Sequence, residues 1–91
     1  MARIAITHNH SQPEHTVREV LGKLVTELEN EYQMTCVWNG QHMDFHRSGA
    51  SGKLSLHPHR VEIDIKLSMM LSMFEKKIRE VITTFCREHL P

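Results

Sequence analysis

The stretch that decides the fold is WNGQHMDFHRSGASGKL, residues 38–54. Within it, Asn39-Gly40 is a strong hairpin signal, because both residue types tolerate the positive φ of a type I′ turn. The flanking segments 34–38 and 41–47 alternate between apolar and polar side chains, which is typical of half-buried strands. Residues 48–52 contain two glycines and two serines and predict a loop, after which Leu54 and Leu56 indicate a short strand. Residues 34–56 therefore predict consecutive antiparallel strands.

Outward from this stretch, two more strands and two helices are predicted. Residues 3–8 and 61–67 alternate in the same way and indicate strands. Apolar side chains at helical spacing from Val17 to Leu28 predict a helix that begins at Pro13, with Ser11 or Gln12 as its cap. A second helix is predicted from Ser68 to His89.

The predicted order along the chain is β-α-β-β-β-β-α. This order is typical of an α+β fold in which an antiparallel sheet of about five strands carries two helices on one face. The chain has 91 residues, which we interpret as a single domain, 1–91. The sequence does not fix which strand pairs with the first one.

Composition narrows the classes of function. The chain has 11 basic and 11 acidic residues and a pI near 7.1, so we expect no nucleic-acid partner. No leader and no apolar run of membrane-spanning length is evident, so we expect no transmembrane segment and a cytoplasmic location. Two cysteines, Cys36 and Cys86, are too few for a disulfide scaffold, and we expect both to be half-buried apolar side chains.

The eight histidines are the first candidates for chemistry. His42, Asp44 and His46 share one face of a predicted strand and are weak candidates for a metal site, which requires three or four converging ligands. The pairs His8/His10 and His57/His59 also have strand spacing. No metal-binding motif accompanies them, so we expect no metal and no cofactor, with the histidines on the solvent face of the sheet.

Two further groups are candidate sites. Arg47, Ser48 and Ser51 combine a cation with hydroxyls and loop amides, which could bind an anion; a plain connector between strands is the simpler interpretation. Glu62 and Asp64 share a strand face and could act as an acid–base pair, although alternating charge is common on exposed strands. We therefore predict no catalytic residue and no enzymatic activity.

The start of the last predicted helix is unusually apolar. Met70, Leu71 and Phe74 continue the core stripe, whereas Met69 and Met73 stand to one side of it. These methionines either widen the core contact or bind an apolar partner, to which flexible methionine side chains adapt well. Because basic residues follow at Lys76, Lys77 and Arg79, such a partner would have both apolar and anionic character.

The chain resembles the family of putative polyhydroxyalkanoic acid system proteins over nearly its whole length. The resemblance rests on the opening strand with His8, the first amphipathic helix, the strand from Val61 and the segment 67–74 followed by Ile78. It also rests on a core pattern that comprises Trp38, Gly40, Phe45, Arg47, Ser48, Gly49, Gly52 and Leu54. The family has no established catalytic residues to carry over. A sheet that grips a long final helix is also similar to a reduced helix-grip domain.

The resemblance implies a bacterial cytoplasmic protein that acts at or near polyhydroxyalkanoate (PHA) granules. We expect it to bind a granule or a PHA-associated protein through Met69, Met70 and Met73, with the loop from Arg47 to Gly52 as a second contact. Two alternatives stay open. One is a carrier that encloses an acyl or hydroxyacyl ligand between sheet and final helix; the other is a hydrolytic or metal-assisted enzyme built from His42, Asp44 and His46. A homodimer is also possible, because a small sheet has edges to cover. The residues that would line the carrier cavity are Phe45, Ile63, Ile65 and Phe74.

Overall fold

The computed structural model describes residues 2–91 and confirms the α+β class. Five strands form one antiparallel sheet, and a helix follows the first strand and another follows the last. The elements are β1 (Ala2–Asn9), α1 (Glu14–Tyr32), β2 (Thr35–Asn39), β3 (His42–Arg47), β4 (Ala50–His57), β5 (Arg60–Leu67), a 3₁₀ segment (Met69–Phe74) and α2 (Glu75–His89).

The strand order across the sheet is β1-β5-β4-β3-β2. The first strand, whose place the sequence left open, pairs with the last one, with Ile4 opposite Ile65. Strands β2 to β5 form a meander of hairpins, each pairing with the next along the chain. Strands β1 and β2 are consequently the two edges of the sheet.

The strand periodicity places apolar side chains on one face of the sheet, and both helices cover that face. From the sheet, Met43, Leu54, Ile63 and Ile65 are fully or almost fully buried. The helices contribute the buried residues Val17, Leu21, Leu24 and Leu28 from α1, and Ile78, Ile82, Phe85 and Cys86 from α2. The opposite face carries mostly polar and charged side chains, and within residues 2–91 no helix covers it.

The first hairpin forms one residue later than predicted. Asn39 and His42 are paired, so the turn residues are Gly40 and Gln41 rather than Asn39 and Gly40. Gly40 has φ 69°, whereas Gln41 has no positive φ, which fits a type II′ turn with glycine at the first central position. Asn39 therefore remains in the strand.

The prediction of a loop over residues 48–52 is also wrong. Only Ser48 and Gly49 form the turn, and β4 already begins at Ala50. Small residues are used here for packing: Ala50 is buried, and a Cβ on Gly52 would collide with the Asp64 carbonyl oxygen of β5. The neighbouring strand therefore leaves no room for a side chain at this position.

The two helices also begin differently from the prediction. Pro13 is the N-cap of α1, and neither Ser11 nor Gln12 caps the helix with its side chain. The carbonyl of Pro13 accepts hydrogen bonds from the amides of Thr16 and Val17. The final helix begins at Glu75 rather than at Ser68, because the six residues before it form a 3₁₀ segment.

Candidate functional site

The 3₁₀ segment between β5 and α2 displays most of the large exposed apolar side chains of the described chain. Met69, Met70 and Met73 are 79%, 71% and 78% exposed, and Phe74 is 42% exposed. We call these four residues the methionine cluster. No residue of the segment is buried. The interpretation that the methionines widen the core contact is therefore wrong.

The 3₁₀ geometry explains why Met70 joins the exposed group, although helical spacing places it on the core stripe. With three residues per turn, Met70 and Met73 lie above one another, while Leu71 and Phe74 form a separate line. Leu71 is partly buried against the core. The Ser72 hydroxyl donates a hydrogen bond to the Met69 carbonyl at 2.8 Å, an alternative to α-helical bonding that serine offers locally.

The turn between β3 and β4 anchors the methionine cluster. The Ser68 amide donates to the Gly49 carbonyl at 2.7 Å. A Cβ on Gly49 would lie 2.9 Å from Leu71 Cδ1 and 2.9 Å from Ser68 Oγ, so the segment rests directly on the glycine. A cleft of about 140 Å³ lies beside this contact, with Leu71, Phe74 and Arg47 in its lining. The turn and the cluster consequently form one continuous surface.

Two of the three basic residues predicted beside the cluster are available to a partner. Lys76 and Lys77 are exposed, and within residues 2–91 neither forms an ion pair. Arg79 is engaged instead: its Nη2 lies 3.3 Å from Glu75 Oε2 and donates to the Arg3 carbonyl at 3.3 Å. Lys77 shares a shallow depression with Glu27, Glu80 and Glu88, so the basic character next to the methionines rests chiefly on Lys76.

Arg47 and Ser51 line one shallow depression of which Ser48 is not a part, and the Arg47 guanidinium is already engaged. Arg47 Nη1 donates to the Tyr32 carbonyl at the end of α1 at 2.7 Å, and Nε donates to the Ser48 carbonyl at 3.2 Å. Ser48 is in the turn, while Ser51 is on β4 and faces the open side of the sheet. Arg47 thus satisfies a helix-terminal carbonyl, although its side chain also lines the cleft beside Phe74.

The open face of the sheet contains a shallow groove of about 720 Å³. Asp44 and His46 lie in its lining, and Asp44 is opposite Lys53, which is opposite Asp64. His42, Asp44 and His46 follow one another along this face of β3. Among residues 2–91, no three His, Cys, Asp or Glu side chains are grouped so that they could hold a metal ion.

Glu62 and Asp64, the candidate acid–base pair, are each bound to a cation. Arg3 Nε donates to Asp64 Oδ1 at 3.0 Å, and this hydrogen bond lowers the pKa of Asp64 below its ordinary value. Glu62 pairs with Arg60, with Nε and Oε1 3.0 Å apart, and lies 3.6 Å from His57 Nε2. Both carboxylates therefore belong to a solvated network of opposite charges.

Not every histidine lies on the solvent face, which corrects the sequence interpretation. His10 is only 9% exposed: its Nδ1 accepts a hydrogen bond from the Gln12 amide at 3.1 Å, and its buried Nε2 has no partner within residues 2–91. Burial lowers the pKa of His10, and neighbouring His8 and His59 lower it further. His8 Nε2 donates to the Leu90 carbonyl at 2.6 Å, which ties β1 to the last residues of the chain. The strand spacing of His8 and His10 does not reveal this packing.

The cysteines are unsuited to nucleophilic chemistry. Burial raises the pKa of Cys86 to about 11, and burial together with Glu29 raises the pKa of Cys36 to about 11. Both thiols are free and stay protonated near neutral pH. Cys86 is fully buried in α2 rather than half-buried as expected.

The residues named for a carrier cavity do not line one space. Phe45, Ile63 and Ile65 are packed in the core, whereas Phe74 is partly exposed and lines the cleft near Arg47. Nothing in this arrangement supports the carrier alternative.

The comparisons with known proteins settle the family. The family model described as Putative polyhydroxyalkanoic acid system protein matches residues 4–90, which is nearly the whole chain. The chain belongs to this family. No curated protein and no solved structure matches the chain significantly. In the described part of this PHA-system protein, neither helix joins sufficient length to sufficient apolar character to cross a bilayer.

Proposed function

We propose that this chain is a non-catalytic accessory protein of polyhydroxyalkanoate storage, which binds at the granule surface in the bacterial cytoplasm through the methionine cluster. The observation that carries the proposal is the exposure of Met69, Met70 and Met73 together on one short segment. Clustered exposed apolar side chains commonly mark interaction sites, and the family name supplies the polyester as the apolar partner.

The chemistry of the cluster suits a polyester surface. Methionine is flexible and polarisable, so it adapts to an irregular surface that has no fixed shape to match. Full burial of one methionine side chain is worth about 1.5–3 kcal/mol, so partial burial of three gives useful affinity. Lys76 next to the cluster complements the carboxylate chain ends that a polyhydroxyalkanoic acid carries.

A non-catalytic role is supported by the state of the reactive groups. The thiols of Cys36 and Cys86 have raised pKa values, and Glu62 and Asp64 are held in ion pairs. None of these groups faces the methionine cluster as a ready base or nucleophile.

The test is the localisation of the fluorescently tagged protein in bacteria that accumulate the polymer. We expect the wild type to concentrate at granules and a Met69→Glu, Met73→Glu variant to become diffuse, because two carboxylates would have to enter an apolar surface. Both side chains are exposed, so the variant should fold normally, which thermal unfolding of the purified proteins would check.

Two results would contradict the proposal. A wild-type protein that stays diffuse while granules form has no granule role. Equal localisation of the wild type and the variant would show that the methionine cluster is not the contact.

A further inference from the structure

Strand β2 is an edge strand whose outer backbone groups are free. Asn39 and His42 close a two-residue turn and form a hydrogen-bonded pair, and such pairs alternate along an antiparallel ladder. Val37 and Thr35 therefore direct their backbone groups towards β3, whereas Cys36 and Trp38 direct theirs away from the sheet. Within residues 2–91, no side chain forms a hydrogen bond with the backbone amide or carbonyl of Cys36 or Trp38. Two N–H and two C=O groups thus face outward.

The strand itself lacks the protection that sheet edges usually carry, although the Arg18 guanidinium of α1 lies 4.7 Å from the centre of the Trp38 ring. The sequence of β2, TCVWN, contains no charged residue and no proline, the two common means of preventing edge pairing. Val37 is 57% exposed on the open face of the sheet. An uncharged edge with a bare β-branched residue favours pairing with another strand.

The opposite edge of the sheet is occupied differently. On β1, the Arg3 carbonyl accepts a hydrogen bond from Arg79 Nη2 of α2 at 3.3 Å. The Arg3 guanidinium is paired with Asp64 of β5, so β1 itself carries a charged side chain, as β2 does not. A strand approaching β1 would have to displace the Arg79 contact, so β2 is the more accessible edge.

We propose that β2 pairs antiparallel with β2 of a second copy of this chain across a two-fold axis at Val37. In this register, Cys36 exchanges both backbone hydrogen bonds with the partner's Trp38, and Trp38 does so with the partner's Cys36. Val37 then lies opposite the partner's Val37 in a non-hydrogen-bonded pair, where Cα atoms approach to about 4.5 Å. The two five-stranded sheets become one continuous sheet, and the two exposed valines cover each other.

Self-complementarity is what favours a second copy over an unrelated strand. The register centred on Val37 uses both outward-facing residues of each β2 and makes the same contacts in both directions, as a two-fold interface requires. It also keeps Trp38 on the helix-covered face and Val37 on the open face in both copies. The formal net charge is zero, so two copies do not repel each other as wholes.

The test is the solution mass of the full chain over a series of concentrations, measured by sedimentation velocity. We expect the wild type to reach the mass of a dimer as concentration rises. Val37→Lys should stay monomeric, because it places two like charges face to face at the axis. Val37 is largely exposed, so circular dichroism and thermal unfolding should match the wild type at concentrations where both proteins are monomeric. Thr7→Lys, an exposed position on the opposite edge strand β1, is the matched control and should dimerise normally.

A wild type that remains monomeric over the whole series would overturn the proposal. So would a Val37→Lys protein that dimerises with wild-type affinity. Dissociation of the dimer by Thr7→Lys, with Val37→Lys still dimeric, would place the interface at β1 and overturn the proposal as well. These outcomes are independent of whether the protein binds granules.

Discussion

At the scale of single residues, Gly49 links the fold to the candidate site. Its φ is 87°, and the space where a Cβ would stand is already taken by Leu71 and Ser68. Gly49→Ala should therefore lower the free energy of unfolding by about 1–3 kcal/mol, through backbone strain and displacement of the 3₁₀ segment. Chemical denaturation would measure this loss.

Gly22→Ala is the matched control for this substitution. Gly22 lies in α1, and no atom outside the helix's own backbone lies within 4 Å of the place where its Cβ would stand. Alanine there should raise stability by about 0.5–1 kcal/mol, because it restricts the unfolded chain and adds no clash. An unchanged stability for Gly49→Ala would mean that Leu71 does not rest on this turn.

His10 makes stability depend on pH. Its pKa is lowered in the folded protein, chiefly by burial, so the unfolded chain binds the proton more tightly. The stability that the neutral imidazole provides is complete above the unfolded pKa of about 6.5 and is lost as pH falls towards the lowered folded pKa. The wild type should accordingly become less stable as pH falls below about 6.5.

His10→Asn isolates this contribution from the other histidines. Asparagine can keep an acceptor for the Gln12 amide and has no proton to gain, so the variant should lose less stability than the wild type over the same acidic range. Denaturation curves at a series of pH values would compare the two. Parallel pH profiles would show that protonation of His10 is not coupled to unfolding.

At the scale of secondary-structure elements, Arg47 ties the end of α1 to β3. Arg47→Ala would leave the Tyr32 carbonyl without its charged donor and should cost about 1–3 kcal/mol of unfolding free energy. Ser51→Ala, on the open face of β4, is the control and should stay within about 0.5 kcal/mol of the wild type. If Arg47→Ala kept full stability but lost granule binding, Arg47 would belong to the partner contact rather than to the helix end.

The elements themselves are predictable where periodicity dominates. The alternation in β5 and the helical spacing in α1 are sustained over whole elements, and burial of one face follows from each. The structure of the residues around Gly49 is harder to predict, because serine and glycine suit loops and also allow close packing between strands. Local propensity cannot separate the two uses, since the carbonyl of Asp64 that excludes a side chain at Gly52 comes from another strand.

The candidate site is predictable in part for a similar reason. Helical spacing correctly places Met69 and Met73 off the core stripe. It wrongly places Met70 on that stripe, because the prediction assumes that the segment is α-helical. The 3₁₀ geometry is accompanied by the Ser68–Gly49 and Ser72–Met69 hydrogen bonds, which no periodic pattern indicates. Similarly, the burial of His10 depends on contacts of its neighbours with the other end of the chain and on its own contact with the turn at His59.

At the scale of the whole molecule, the two faces of the sheet have different roles. One face carries both helices and the core, and its far end presents the methionine cluster beside Lys76 and Lys77. The other face is polar and ion-paired. If two copies join through β2, the two-fold axis passes through the plane of the sheet, so both helix layers lie on the same side of the dimer. Each dimer would then carry two methionine clusters, which raises its avidity for an extended polymer surface.

Co-sedimentation of the purified, tag-free protein with particles of amorphous poly(3-hydroxybutyrate), a polyhydroxyalkanoic acid, tests the central claim most directly. The wild type should bind, and Met69→Glu, Met73→Glu should bind at least about tenfold more weakly, equivalent to about 1.4 kcal/mol. Thr7→Glu, Thr83→Glu adds the same charge at exposed positions outside the cluster and should bind like the wild type. Absence of wild-type binding, or equal loss in both double variants, would contradict the account.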